Sequence, residues 1–273
     1  MKFSERVFMK RLAAGLVAFL FVLSMHPVSA QQTVPQSYPL TNSVTLDGRY
    51  TTPNEWNDTS ELQLDVGTTT GAAYFSSKYD SNYLYTIWDF VECRTYFAGN
   101  KTKAANQVVM NLDPSDRGVL DDSVYAIAVM AVDSSSVGTP FAGRVSVSRG
   151  TSNGWTKWGP QPSTNPISTE IQYTSSPHSS ASHLVVEVRV DLTFADLKSH
   201  LSSSRIGYSM VMHDFWTNVH PAYPSHYDIN TPSSWGWLDF MQVPIPEFDV
   251  IAVPLIMSLL VAVLVTRPRH KPP

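Results

Sequence analysis

Residues 183–191 (HLVVEVRVD) alternate in a way that few folds accommodate. Val186, Val188 and Val190 fall on one side of an extended chain, Glu187 and Arg189 on the other. That period of two belongs to a β-strand with one face buried. Similar short apolar or alternating runs occupy residues 72–75, 84–88, 107–112, 124–132, 144–147 and 206–212. They are rich in Val, Ile and Tyr and are bounded by Gly, Ser, Asn, Asp or Pro, the punctuation expected between strands. No segment keeps a 3.6-residue period long enough for a major helix. The best helical candidate is 193–202, with Phe194, Leu197 and Leu201 on one face and Asp196 near its start. Ser/Thr/Pro/Gly-rich stretches at 133–140, 150–169 and 174–182 read as long loops. Seven or more short strands around one core predict an all-β fold, a single antiparallel β-sandwich of jelly-roll or immunoglobulin-like type.

The two ends read differently from the middle. Lys2, Arg6, Lys10 and Arg11 precede an uncharged apolar run at 12–23, and Val28-Ser29-Ala30 offers small residues where a signal peptidase cuts. Residues 1–30 are therefore expected to be a signal peptide, with Gln31 as the new N-terminus; an uncleaved anchor is the competing reading. Residues 31–43 are polar and contain proline, as a linker or leading arm would be. Residues 44–243 form the predicted sandwich. At 250–265 the chain is again uncharged and apolar, a length of about 24 Å as helix. Arg267, Arg269, His270 and Lys271 follow it. A transmembrane helix over about 249–266 with a basic cytoplasmic tail is expected, which leaves the domain outside, at the cell surface. Just ahead of it stand Pro246, Glu247 and Phe248. This Pro-Glu-Phe signature, apolar segment and basic tail resemble the PEF-CTERM sorting signals of archaeal surface proteins. The resemblance implies an archaeosortase that processes residues 244–273; a plain single-pass anchor is the alternative.

Composition restricts the partners. The chain is 43% hydrophobic, 11% aromatic and 15% charged, with a formal net charge of −4. That supplies ample core material and no basic footprint for nucleic acid. A single cysteine, Cys93, leaves an exported domain without disulfides; it reads as a small buried hydrophobe. Asn57-Asp58-Thr59 and Asn100-Lys101-Thr102 are sequons, which makes Asn57 and Asn100 candidate glycosylation sites.

Several residue groups carry possible chemistry. Asp113, Asp116, Asp121 and Asp122 lie in one acidic loop whose oxygen spacing suits a structural Ca²⁺, although a solvated turn has the same composition. His213, His220 and His226 share a Pro- and Tyr-rich stretch and suggest a transition metal, without any standard zinc spacing. No nucleophile elbow, zinc-protease helix, phosphate loop or dinucleotide fingerprint is present, so no enzyme activity is expected.

Taken in order, several segments resemble the family 9 carbohydrate-binding modules and their DOMON-like relatives. Leu46-Asp47-Gly48 with Glu55-Trp56 resembles the family's opening, and 73–85 (AYFSSKYDSNYLY) its following hairpin, whose return strand ends at Asp89. The VVMNLD strand at 108–113, the Glu187 strand leading to Phe194, the Gly207 strand ending at Asp214, and WGWLDF at 235–240 complete the order. The resemblance covers roughly 44–241 and implies a non-catalytic, membrane-anchored protein that binds polysaccharide or cell-surface glycan. In the family two aromatic rings sandwich a terminal sugar. Trp155, Trp158 and Trp216, with Asp214 beside the last, are the loop residues here that fit such a role. Two other readings stay open: an envelope or adhesion protein that uses the sandwich for protein contacts, and a haem or copper electron-transfer module. The second follows from DOMON-like haem domains and would draw on Met110, Met210, Met212 and His213.

Overall fold

The alternating run at 183–191 lies within the longest strand among the described residues. A computed structural model describes residues 34–241 except 65, 67–71, 95–105, 132–137, 159–165, 201–203 and 216. The leader segment 1–30, the apolar segment at 250–265, the Pro246-Glu247-Phe248 motif, Asn100 and Trp216 lie outside the described residues. The strands are β1 (Gln36–Pro39), β2 (Glu61–Leu64), β3 (Ala73–Tyr79), β4 (Tyr83–Phe90) and β5 (Gln107–Asp113). They continue with β6 (Tyr125–Met130), β7 (Arg144–Thr151), β8 (Gly154–Trp158), β9 (Ile167–Ser176) and β10 (Ser179–Asp191). β11 (Arg205–His213), β12 (Ala222–Tyr223) and β13 (Gly236–Phe240) complete the set.

Their hydrogen bonds join one ribbon in the order β8-β7-β6-β5-β11-β13-β1-β3-β4-β10-β9, with β2 added to β3 and β12 to β11. The ribbon doubles over at β13 and β1. β11 and β3 are three strand steps apart, about 14 Å in a flat sheet, yet Tyr208 of β11 and Phe75 of β3 meet with ring centroids 5.8 Å apart. The free ends meet as well: Phe141, just before β7, exchanges two backbone hydrogen bonds with Ile171 of β9 (3.0 and 2.9 Å). The result is two facing layers with Phe75, Trp88, Met110, Ile127, Val186 and Val188 in the core between them. A second, smaller core of Trp56, Tyr85, Ile87 and Val185 lies under the segment 40–59 on the outer side of β4 and β10. Burial on both faces explains why every residue from 84 to 90 is buried and why that run reads as continuous rather than alternating.

Four sequence expectations change. The layers are not purely antiparallel: β1 pairs parallel with both β13 and β3. β1 also falls within 31–43, so that stretch is not simply a linker. Its polar composition hides a strand whose Ser37 is buried and bonded to Ser77 Oγ (2.9 Å). The supposed loops at 150–169 and 174–182 hold β8, most of β9 and the tight β9–β10 turn at Pro177-His178. Ser168, Glu170, Gln172 and Thr174 alternate on β9 with the core residues Ile167, Ile171 and Tyr173, so a polar, hydroxyl-rich strand has the composition of a loop. Of the helix expected at 193–202, the described residues form a 3₁₀ turn (Phe194–Asp196) and the helical turn Leu197–His200.

Candidate functional site

The site is shaped by two buried carboxylates. Glu187, fully buried on β10, accepts the backbone N–H groups of Asp47 and Gly48 (both 2.8 Å) and the indole N–H of Trp56 (3.3 Å). Glu55 accepts the N–H groups of Thr45 (2.6 Å) and Thr51 (2.8 Å). Gly48 has φ +75°, and a Cβ there would lie 2.7 Å from the Ile171 carbonyl carbon, so the turn takes no larger residue without strain. Lys78, also fully buried, reaches Asp58 and the Glu55 carbonyl and sits 5.4 Å from the centre of the Trp56 ring. These bonds fasten the 40–59 segment onto the outer face of the sheet. Burial pushes the Glu187 carboxyl up to about 8, against the lowering effect of the Asp47 and Gly48 amides.

Between that segment, β2 and the β9–β10 turn lies a groove of about 580 Å³. Tyr50, Pro53, Trp56, Pro177 and His178 give it ring and pyrrolidine surfaces, and Thr52, Asn57, Thr59, Glu61, Ser175 and Ser176 give it polar groups. His178 stacks on Tyr74 (3.7 Å between centroids, 14° between planes) and meets Tyr50 edge-on at 6.1 Å. Both of its ring nitrogens face carboxylates: Nδ1 lies 2.6 Å from Asp89 Oδ2 and Nε2 3.0 Å from Glu61 Oε1. Behind it, Asp89 Oδ1 lies 2.6 Å from Nε2 of the fully buried His183, whose Nδ1 faces the Ala181 carbonyl at 2.7 Å. Burial works against a charged imidazole at His178, but the bonds to Asp89 and Glu61 outweigh it and raise the group to about 9. Asp89 is held below the usual carboxylate range: burial opposes this, and the two histidines prevail. Tyr50 is raised well above its ordinary value by burial and by the nearby charges of Asp89 and Glu61.

The residues singled out in the sequence scatter. Trp155 and Trp158 lie three apart on β8 and so on opposite faces. Trp158 packs inward against Phe194 (5.3 Å), while the Trp155 indole donates to Asn230 (3.1 Å). They do not form one platform. Asp214 is fully buried and receives the Thr217 N–H (3.3 Å), out of reach of a ligand. The acidic loop is divided among separate partners. Asp113 serves Ser115 and Gly118, Asp116 the Trp237 indole, Asp121 Ser123 and Arg117, and Asp122 Arg149. His213 and His220 touch through their Nδ1 atoms (3.0 Å), and burial together with His220 lowers His213 to about 4. His226 is exposed. Among the described residues no group of three or more His, Cys, Asp or Glu is placed to hold a metal ion, and no helix is long and apolar enough to cross a membrane. Asn57, the first sequon, is exposed on the groove wall. Tyr50, Glu61, Asp89 and His178 were missed as a group. Glu61 and His178 are 117 positions apart, so no local spacing marks them.

A folded-over β-ribbon with an aromatic, hydroxyl-rich groove on its outer face is the architecture these observations define. No protein-family model and no curated protein matches the chain. Solved structures with a similar chain path include a family 9 carbohydrate-binding module from Caldicellulosiruptor kristjanssonii. In complex with cellotriose it shows 15% identity and a TM-score of 0.46, covering 75% of this chain and 93% of that one. In complex with glucose the values are 15%, 0.47, 78% and 99%. A putative carbohydrate-binding protein from Bacteroides uniformis shows 12% identity and a TM-score of 0.46, covering 77% of this chain and 99% of that one.

Proposed function

We propose that this chain is a non-catalytic, carbohydrate-binding protein displayed at the cell surface, with the groove beside Tyr50, Trp56 and His178 as its binding site. The groove lining carries the reading. A pyranose has apolar C–H faces and a rim of hydroxyls, and it is recognised by ring surfaces combined with convergent polar groups. Tyr50, Trp56 and Pro177 supply the first; Asn57, Glu61 and the Thr and Ser hydroxyls supply the second. The volume falls within the range of about 300–1,000 Å³ usual for ligand pockets. The Glu187, Glu55 and Lys78 clamps hold the walls in place before a ligand arrives, which reduces the ordering cost of binding. Both nitrogens of His178 are engaged, so it acts as a wall rather than a hydroxyl reader. Display outside the cell follows from the reading of residues 1–30 as a signal peptide and of 244–273 as a sorting signal with a membrane helix.

Affinity electrophoresis of the full-length chain through gels containing soluble β-glucan, xylan or mannan tests this. We expect retention on at least one polysaccharide, and a drop of fivefold or more in affinity for short oligosaccharides of the same sugar in Tyr50→Ala. A folded protein that binds none of these polymers or oligosaccharides would overturn the proposal.

A further inference from the structure

Away from the groove, four large apolar side chains are strongly exposed among the described residues: Val119, Phe215, Ile229 and Trp237. Isolated exposed hydrophobes are ordinary. Trp237, 42% exposed, differs because polar groups fix its ring. Its indole N–H donates to Asp116 Oδ1 (3.2 Å), and the Arg205 guanidinium lies 5.3 Å from the ring centre. Arg205 in turn approaches Asp239 directly across the β11–β13 ladder (3.6 Å). The residue opposite Trp237 on β11 is Gly207, so Arg205 is the β11 side chain that reaches the indole. A Cβ at 207 would press on Asp113 Cβ at 3.0 Å. A large ring is therefore oriented, left open, and bordered by one guanidinium and two carboxylates, on a different part of the sheet from the groove.

We infer that Trp237, with Arg205, Asp116 and Asp239, is a second glycan-contact surface that receives one face of a neutral pyranose unit of a polysaccharide. The indole supplies the flat apolar contact, and C–H groups on the sugar face meet its π surface. Arg205 donates to ring or hydroxyl oxygens, while Asp116 and Asp239 accept hydroxyl protons. Two carboxylates against one guanidinium disfavour uronate-rich chains through like-charge repulsion. The pinned indole loses little freedom on binding, an advantage that a mobile surface ring lacks. This surface shares the ligand class of the groove but does not require it. A polysaccharide long enough to reach both sites gains avidity from effective concentration, while a short oligosaccharide fills one site at a time.

The test compares Trp237→Ala, Trp237→Phe, Arg205→Ala and Tyr50→Ala in the full-length chain. It measures retention on neutral polysaccharides, binding of short oligosaccharides, and sedimentation. We expect Trp237→Ala to lose roughly tenfold in polysaccharide affinity, about 1.4 kcal/mol. Trp237→Phe should keep most of it, and groove binding of oligosaccharide should be unchanged. If Trp237→Ala fails to fold, Arg205→Ala, which keeps the ring, decides: a several-fold loss supports the inference and an unchanged affinity overturns it. Loss with Tyr50→Ala alone leaves the groove standing and refutes the second surface; loss with Trp237→Ala alone does the reverse. A change in sedimentation without a change in polysaccharide affinity would make Trp237 a protein contact and overturn the inference.

Discussion

Glu187→Ala probes the link between sequence signature and binding site. Truncation removes the acceptor for the Asp47 and Gly48 amides at 2.8 Å and for the Trp56 indole at 3.3 Å. A buried donor left without a partner costs about 1–3 kcal/mol. The Asp47 amide is half-buried and can find water, and the indole bond is long. The total is therefore about 3–5 kcal/mol, a large share of the roughly 5–15 kcal/mol that holds a domain together. At about 2–4 °C per kcal/mol for a domain of this size, the thermal midpoint falls by about 6–20 °C, measurable by circular dichroism. Glu187→Gln keeps one acceptor oxygen and should cost about 1 kcal/mol. The pH dependence adds a second readout. Burial raises the Glu187 carboxyl from 4.5 to about 8. Between these values the folded protein keeps a proton that the unfolded chain has released. Its contribution to stability therefore falls as pH rises from about 4.5 to 8 and is flat above that. Glu187→Gln should lose this slope. A Glu187→Ala midpoint within 2 °C of the parent, or a Gln variant as damaged as the Ala variant, would refute the clamp.

Three further outcomes follow. His178, raised from 6.5 to about 9, contributes stability that is complete below about 6.5 and lost as pH rises through 9. With a side chain 17% exposed, solvent screening limits this to about 2 kcal/mol. Asp89→Asn should reduce that alkaline loss, Glu61 keeping the remainder, and an unchanged slope in denaturant titrations would contradict the pairing. Gly48→Ala forces a side chain onto φ +75° and against Ile171, and should destabilise by about 2 kcal/mol or more in urea melts; a neutral result would mean the turn is not fixed. Trp158→Ala removes the packing on Phe194 and should cost about 2–4 kcal/mol while oligosaccharide affinity stays at the parent value in calorimetry.

Sequence pattern revealed the architecture better than the site. The period-two run marks β10, and continuous apolar runs mark β4, β5 and β11, which are buried on both faces. β9 and β8 were disguised by outward Ser, Thr and Lys, and β1 by its four-residue length and Pro39. The Asp47-Gly48, Glu55-Trp56 and Glu187 signature was visible, and its role is mainly architectural: it anchors a loop, and of its residues Trp56 lines the groove. The loop tryptophans attracted attention as aromatic residues in apparent loops, yet strand alternation sends Trp155 and Trp158 to opposite faces. Tyr50, Glu61 and His178 carried no local pattern, because only the pairing of β2, β3, β4 and β10 side by side brings β2 near the β9–β10 turn.

Imidazole NMR of the full-length chain, titrated with the oligosaccharide that matches the best-retained polysaccharide, examines the groove itself. Saturable shifts at the His178 ring and the Tyr50 side chain, with His213 and His220 unmoved, are the predicted result. Saturable binding that leaves His178 and Tyr50 unshifted would place the ligand elsewhere and contradict the account.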